Sequence, residues 1–117
     1  MIADLWTYIQ SSPIYKNKTT LIVTCDHGRG DKIKDDWHHH DAKIEVAGQI
    51  WIAAIGPDTS PLGEIKTPGL LYQKQLAATF AKLLNFTFTA GHPVAASIES
   101  IYKNPPKVDI NIVKKIN

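Results

Sequence analysis

Cysteine is almost absent from this sequence, because Cys25 is the only one in 117 residues. A single thiol cannot form an internal disulfide, and it indicates little about the compartment. An excess of charge of one sign is also lacking, since 13 Lys and Arg are balanced by 11 Asp and Glu, for a net charge of +2. No Lys/Arg run is interleaved with aromatic residues. The composition therefore gives no argument for a nucleic acid or an anionic membrane as partner.

The first ten residues lack the features of a targeting segment. Met1–Gln10 contains Asp4 and no basic region, so it predicts neither a secretory signal nor a membrane span. Internal repeats are absent, and the one low-complexity tract is His38–His40. A chain of this length forms one domain at most. The sequence leaves the compartment and the oligomeric state open.

Four segments have the periodicity of regular secondary structure. Ile2–Gln10 has the spacing of an amphipathic helix. Thr19–Thr24 and Gln49–Ile55 are short and nearly all apolar, which is typical of strands covered on both faces in parallel sheets. Leu70–Leu84 predicts the longest helix of the chain, with Asn85 as its C-terminal cap.

The order of these elements predicts an α/β fold. We expect Thr20–Thr24 and Ile50–Ile55 to be neighbouring strands of one sheet, with the helix Tyr72–Leu84 packed on a face of it. The helix is predicted to bury one apolar face, which consists of Tyr72, Leu76, Ala77, Phe80, Leu83 and Leu84.

Polar residues follow abruptly where the first predicted strand ends. Asp26 and His27 stand where open α/β sheets bind their ligands, and carboxylate oxygen and imidazole nitrogen are the usual ligands of zinc or manganese. Gly28 and Gly30 allow a tight turn around an ion, and His38–His40 follow near enough to close on the same cavity. An Asp-His pair in a loop is usually solvated, and a His tract can bind metal adventitiously. The joint pattern is what predicts a metal site.

This joint pattern resembles the alkaline phosphatase superfamily. Thr20–Gly30 (TLIVTCDHGRG) is similar to the strand and Asp-His-Gly segment of that superfamily. Trp37-x-x-His40, the strand Ile50–Pro57 and the helix Gln73–Leu84 are similar to the segments that follow it. The superfamily includes type I phosphodiesterases/nucleotide pyrophosphatases, cofactor-independent phosphoglycerate mutases, phosphopentomutases and sulfatases. The resemblance covers about residues 15–98.

The resemblance implies which side chains bind metal. Asp26 and His27 match the pair that binds the ion activating a Ser or Thr nucleophile, and His40 matches a ligand of the second ion. Relatives often have Trp-x-x-His-Gly at this place, whereas Asp41 replaces the glycine here. The alternatives for the second ligand are therefore His39 and then His38.

The other parts of the superfamily's site have no counterpart in the sequence. The family needs an Asp at the end of an early strand, a Ser or Thr nucleophile at a helix start, and an Asp and a His shortly upstream of the Asp-His-Gly strand. Nothing in Met1–Thr19 matches these, and no histidine precedes His27. We therefore expect residues 1–117 to be a single partial domain, the C-terminal portion of an alkaline-phosphatase-like α/β/α sandwich, with no catalytic nucleophile of its own.

The implied parent enzyme hydrolyses or transfers the phosphoryl group of a small-molecule ester with two divalent ions, about 3.5–4 Å apart. Zinc is the expected metal, and manganese and calcium are the alternatives. A sulfatase-like enzyme is the alternative function. Sulfatases use one calcium ion, which prefers oxygen ligands, so His27 favours zinc instead. A third possibility is a metal-binding fragment without catalysis.

For each of three further residues, an ordinary structural interpretation exists. Cys25 is expected to be buried in strand packing. His92 is expected to be a loop histidine rather than a ligand. Arg29 either faces a phosphate or sulfate bidentately or forms an exposed ion pair.

Overall fold

A computed structural model describes residues 1–66 and 68–102 of the chain. Its main elements, in chain order, are helix α1 (Ile2–Ser11), strand β1 (Leu21–Thr24), strand β2 (Ile52–Ile55) and helix α2 (Leu76–Leu83). Short 3-10 helices occur at Lys34–His38, Gln73–Gln75 and Glu99–Ile101. The chain divides into two compact units, Leu21–Ile55 and Met1–Thr20 with Gly56–Asn117. Within the described residues, no helix combines the length and apolar character needed to span a bilayer.

The two predicted strands pair with each other, but in an antiparallel direction. Leu21 lies opposite Ile55 and Thr24 lies opposite Ile52, and among the described residues these two strands form the whole sheet. All four residues of β1 are half-buried, while β2 alternates between half-buried and exposed residues.

The prediction of strands covered on both faces, as in a parallel sheet, is therefore wrong. A run of four apolar residues fits a half-exposed antiparallel pair as well as a central strand, and periodicity does not separate the two. The larger α/β/α sandwich stays a prediction, because two strands and two helices do not define one.

Helix α1 confirms the first predicted helix and extends it to Ser11. Ile9 is buried, as the amphipathic pattern requires. Asp4 in the first turn complements the positive end of the helix dipole. The helix ends because Ser12 precedes Pro13 and takes extended backbone angles.

Helix α2 begins later than predicted and buries a different face. Residues 73–75 form a 3-10 turn, and the α-helix begins only at Leu76. Thr79 is fully buried, whereas Phe80 and Leu84, both predicted for the buried face, are exposed. The predicted apolar face is therefore wrong at these two positions, and also at Tyr72, which is exposed.

The hydroxyl of Thr79 accounts for this orientation. It donates to the carbonyl oxygen of Gln75 at 2.8 Å and accepts the backbone N–H of Ile98 at 2.9 Å. Ile98 and Ile101 are themselves buried. Because a buried hydroxyl needs such partners, the helix turns Thr79 toward the Ile98 backbone.

Asn85 ends α2 in the way the sequence predicts. Its φ of 59° lies in the left-handed region. Its N–H donates to the Lys82 carbonyl at 3.0 Å, and the N–H of Phe86 donates to the Ala81 carbonyl at 2.7 Å. These two bonds form a Schellman motif, in which asparagine is the usual substitute for glycine.

Candidate metal centre

The candidate site lies in the connection between β1 and β2, residues 25–51. Because the strands are antiparallel, this connection leaves and rejoins the sheet at the same end. There the Thr24 hydroxyl donates to the carbonyl oxygen of Trp51 at 2.6 Å. Connections of this length with little regular structure are uncommon, and they are usually either functional or linker segments. The topology thus brings the Asp-His-Gly segment after β1 close to the residues that precede β2.

Gly28 allows two parts of this connection to touch through their backbones. Its N–H donates to the Ala47 carbonyl oxygen at 2.8 Å. A Cβ at position 28 would lie 2.4 Å from the Val46 carbonyl oxygen and 2.8 Å from that of Gln49. Glycine is therefore required here by close approach of the backbone. This contact fixes the Asp-His-Gly turn against the turn that leads into β2.

Asp26 and His27 present two donor atoms side by side. The Asp26 Oδ1 accepts the backbone N–H of His27 at 2.9 Å, and Oδ2 lies 3.6 Å from His27 Nε2. The His27 Nδ1 lies 2.7 Å from the Gly28 carbonyl oxygen, which can only accept, so Nδ1 carries the proton. A backbone carbonyl on Nδ1 is the usual partner of a histidine that binds metal through Nε2.

The ring of His40 stacks on the ring of His27. The ring centroids are 4.0 Å apart and the planes differ by 9°. A backbone hydrogen bond joins the two loops that carry these histidines, the loop of residues 25–30 and the loop of residues 37–40. In it, the N–H of Gly30 donates to the His39 carbonyl oxygen at 3.1 Å. The structure therefore brings together Asp26, His27 and His40, the three residues predicted from the sequence.

Arg29 and Trp37 form a third contact between the two loops. The Arg29 guanidinium carbon lies 5.7 Å from the centroid of the Trp37 ring, within the range of a cation–π interaction. Both side chains are exposed. The sequence predicted either a bidentate anion contact or an exposed ion pair for Arg29, and it assigned Trp37 no contact beyond its place in the Trp-x-x-His pattern. The interaction between them was missed, since no spacing rule connects positions eight apart in a loop.

The donor set fits part of a metal shell. Among the described residues, no group of three or more His, Cys, Asp and Glu side chains is placed to hold one ion. The stacking explains this, because the lone pairs of two parallel rings lie in different planes and cannot both point at one ion. Asp26 and His27 form a two-donor set, and His40 adds one donor in a separate plane. The three side chains are exposed rather than enclosed in a cavity, contrary to expectation.

The other singled-out residues lie apart from this set. His38 and His39 are exposed, and Asp41 accepts the N–H of Lys43 at 2.8 Å, closing a turn. Cys25 is only half-buried, so the expected full burial is wrong. His92 is in a loop, as expected, with Nδ1 3.2 Å from the Pro93 carbonyl oxygen.

Comparison of this chain with protein-family models, with curated proteins and with solved structures gives no match.

Proposed function

We propose that the chain is the metal-binding part of a two-metal phosphoric ester hydrolase or phosphoryl transferase. In this proposal Asp26 and His27 bind one divalent ion and His40 binds the other. The observation that carries it is the stacking of His40 on His27, with centroids 4.0 Å apart, beside the Asp26 carboxylate. The motif resemblance to the alkaline phosphatase superfamily supplies the reaction class.

The spacing of Asp26 and His27 supports binding of a shared ion. Zinc binds nitrogen and oxygen ligands at about 2.0–2.2 Å, so two ligands of a tetrahedral ion are about 3.3–3.6 Å apart. The measured distance between Asp26 Oδ2 and His27 Nε2 is 3.6 Å. It is too long for a strong hydrogen bond, yet it matches two atoms that face the same ion.

The stacking of His40 supports a second ion rather than a third ligand for the first. Two nearly parallel ring planes, with centroids 4.0 Å apart, direct their in-plane lone pairs at two separate positions. Ions in two-metal hydrolytic sites are about 3.5–4 Å apart. When bound, such ions polarise the ester and activate the attacking oxygen. The chain's own part is to hold and orient the donors, and the remaining ligands come from outside this set.

Zinc titration of the 117-residue chain by calorimetry tests the proposal. We expect weak binding that falls by about tenfold or more in Asp26→Ala, His27→Ala and His40→Ala, since even the loss of an outer-shell partner costs about 10–100-fold. Calcium is the comparison metal and should bind less tightly, because imidazole nitrogen suits zinc.

His92→Ala, His39→Ala and His38→Ala serve as matched controls. His92 is an exposed loop histidine outside the Leu21–Ile55 unit, so its loss should change zinc affinity by less than about twofold. Neither His38 nor His39 stacks on His27 in the way His40 does, and we expect a smaller effect from each. An affinity that depends on His38 and His39 but not on His27 and His40 would identify an adventitious histidine tract and refute the proposal.

A further inference from the structure

We infer that Arg29, held against Trp37, binds the tetrahedral oxyanion of the ester at this site. The inference rests on the proposed function and adds to it the group that recognises the substrate. The ligand class is a phosphate or sulfate with two free terminal oxygens.

The first argument is the geometry of the Arg29 side chain. Its guanidinium carbon lies 5.7 Å from the centroid of the Trp37 ring. A guanidinium that lies parallel to an aromatic ring meets the ring with its π-face and keeps its N–H donors free in its own plane. Those donors form a planar fork that matches two oxygens of a phosphate or sulfate.

The second argument is that Arg29 and Trp37 belong to the same two segments of the chain as the donor set. Arg29 lies between Gly28, whose N–H binds the Ala47 carbonyl, and Gly30, whose N–H binds the His39 carbonyl. Both flanking residues are therefore held by backbone bonds within the connection between the strands. Trp37 is followed by the loop that carries His40, and His40 stacks on His27. The same two loops thus hold the guanidinium and the candidate metal ligands.

The third argument is the contrast between Arg29 and two lysines of the chain. Lys32 is paired with Glu45 and Lys66 with Glu64, whereas the contact found for the Arg29 guanidinium is the Trp37 ring. An exposed arginine that is held by an aromatic ring loses less conformational freedom when it binds an anion. Arg29 is therefore better prepared for an oxyanion than the paired lysines.

The test is calorimetric titration of the full chain with inorganic phosphate and with sulfate, each in EDTA and each with saturating zinc. Arg29→Gln should lower the affinity by about tenfold, the loss expected for one hydrogen bond to a charged group. Arg29→Lys should recover only part of it, because lysine keeps the charge but not the fork. Trp37→Leu should lower the affinity by about threefold, the cost of an exposed cation–π contact.

Lys34→Gln is the matched control, since it removes the same charge from an exposed residue of the same loop region. We expect it to change phosphate affinity by less than about twofold. Equal losses in Lys34→Gln and Arg29→Gln, or no measurable binding of either anion with or without zinc, would overturn the inference. A preference for phosphate over sulfate would identify the substrate class, and the reverse preference would indicate a sulfate ester.

The zinc titrations keep this result separate from the proposed function. Arg29→Gln is expected to leave zinc affinity unchanged, because Arg29 offers no lone pair to a metal. If the wild-type chain binds no zinc but binds phosphate in EDTA through Arg29, only the metal proposal is refuted. Zinc binding that depends on Asp26 and His27, with no role for Arg29 in phosphate binding, would refute the oxyanion inference alone.

Discussion

Single residues determine whether the candidate centre can form, and Gly28 is the one whose position leaves the least room for a side chain. A Cβ at this position would lie 2.4 Å from a backbone oxygen, a separation that neighbouring backbone atoms must relieve by moving. We expect Gly28→Ala to lower the free energy of unfolding by about 1–3 kcal/mol, the usual cost of overpacking. Urea denaturation followed by tryptophan fluorescence measures it.

Gly48→Ala provides the matched control for this change. A Cβ at Gly48 would have no atom within 4 Å. The substitution there should be neutral or stabilise the chain by about 0.4–1 kcal/mol, because alanine restricts the unfolded state more than glycine does. Equal effects of the two substitutions would show that the close approach at Gly28 does not constrain the loop.

The residue scale is also where the sequence could predict most about the candidate site. The ordinary ligand chemistry of Asp26 and His27, together with the resemblance to the alkaline phosphatase superfamily, singled out both residues as candidate ligands, and in the structure the His40 ring stacks on His27. The parallel stacking of the rings could not be predicted, because it depends on how a loop of nearly thirty residues folds back. For the same reason the sequence could not reveal the contact of Arg29 with Trp37.

At the scale of elements, the orientation of α2 depends on one buried hydroxyl, that of Thr79. Thr79 is 0% exposed, and its hydroxyl joins the Gln75 carbonyl to the Ile98 N–H. We expect Thr79→Val to lower the free energy of unfolding by about 1–3 kcal/mol, because the valine has nearly the same shape but leaves the buried Ile98 N–H without a partner. Urea denaturation monitored by circular dichroism at 222 nm measures the loss.

Thr79→Ser separates the hydrogen bonds from the packing. Serine keeps the hydroxyl and loses one methyl group, so the expected loss is about 0.8 kcal/mol, the value of one buried methylene. If the valine variant is as stable as the wild type, the hydroxyl contributes nothing and the orientation of α2 needs another cause.

The elements were predicted unevenly, and each difference has a physical reason. Local sequence signals were enough to predict α1 and the Asn85 cap. Pro13 ends the first helix, and asparagine tolerates the left-handed backbone at the end of the second. The direction of β2 and the buried face of α2 depend on partners distant in sequence. Ile52 pairs with Thr24 and Thr79 with Ile98, and apolar periodicity contains no information about either contact.

At the scale of the whole molecule, the number of side chains that could bind a metal ion determines which activity we expect of the chain alone. A catalytic zinc ion has about three protein ligands and an open position. Asp26 and His27 supply two donors, and His40 supplies one in a separate plane. Among the described residues, no Ser or Thr hydroxyl forms a hydrogen bond to any of these three, and the nearby Thr24 hydroxyl is bonded to the Trp51 carbonyl. Metal binding and turnover are therefore separate expectations for this molecule.

We predict that the pure 117-residue chain shows no phosphatase, phosphodiesterase or sulfatase turnover, although it binds zinc. We expect the exposed donors to hold an ion weakly, and among the described residues no Ser or Thr hydroxyl is hydrogen-bonded to them. The measurement is release of p-nitrophenol from p-nitrophenyl phosphate, bis-p-nitrophenyl phosphate and p-nitrophenyl sulfate, each with added zinc, manganese or calcium. The rates should equal those of Asp26→Ala and of metal without protein. Metal-dependent turnover that disappears in Asp26→Ala would show instead that these donors, with a nucleophile from this same chain, make a complete active site.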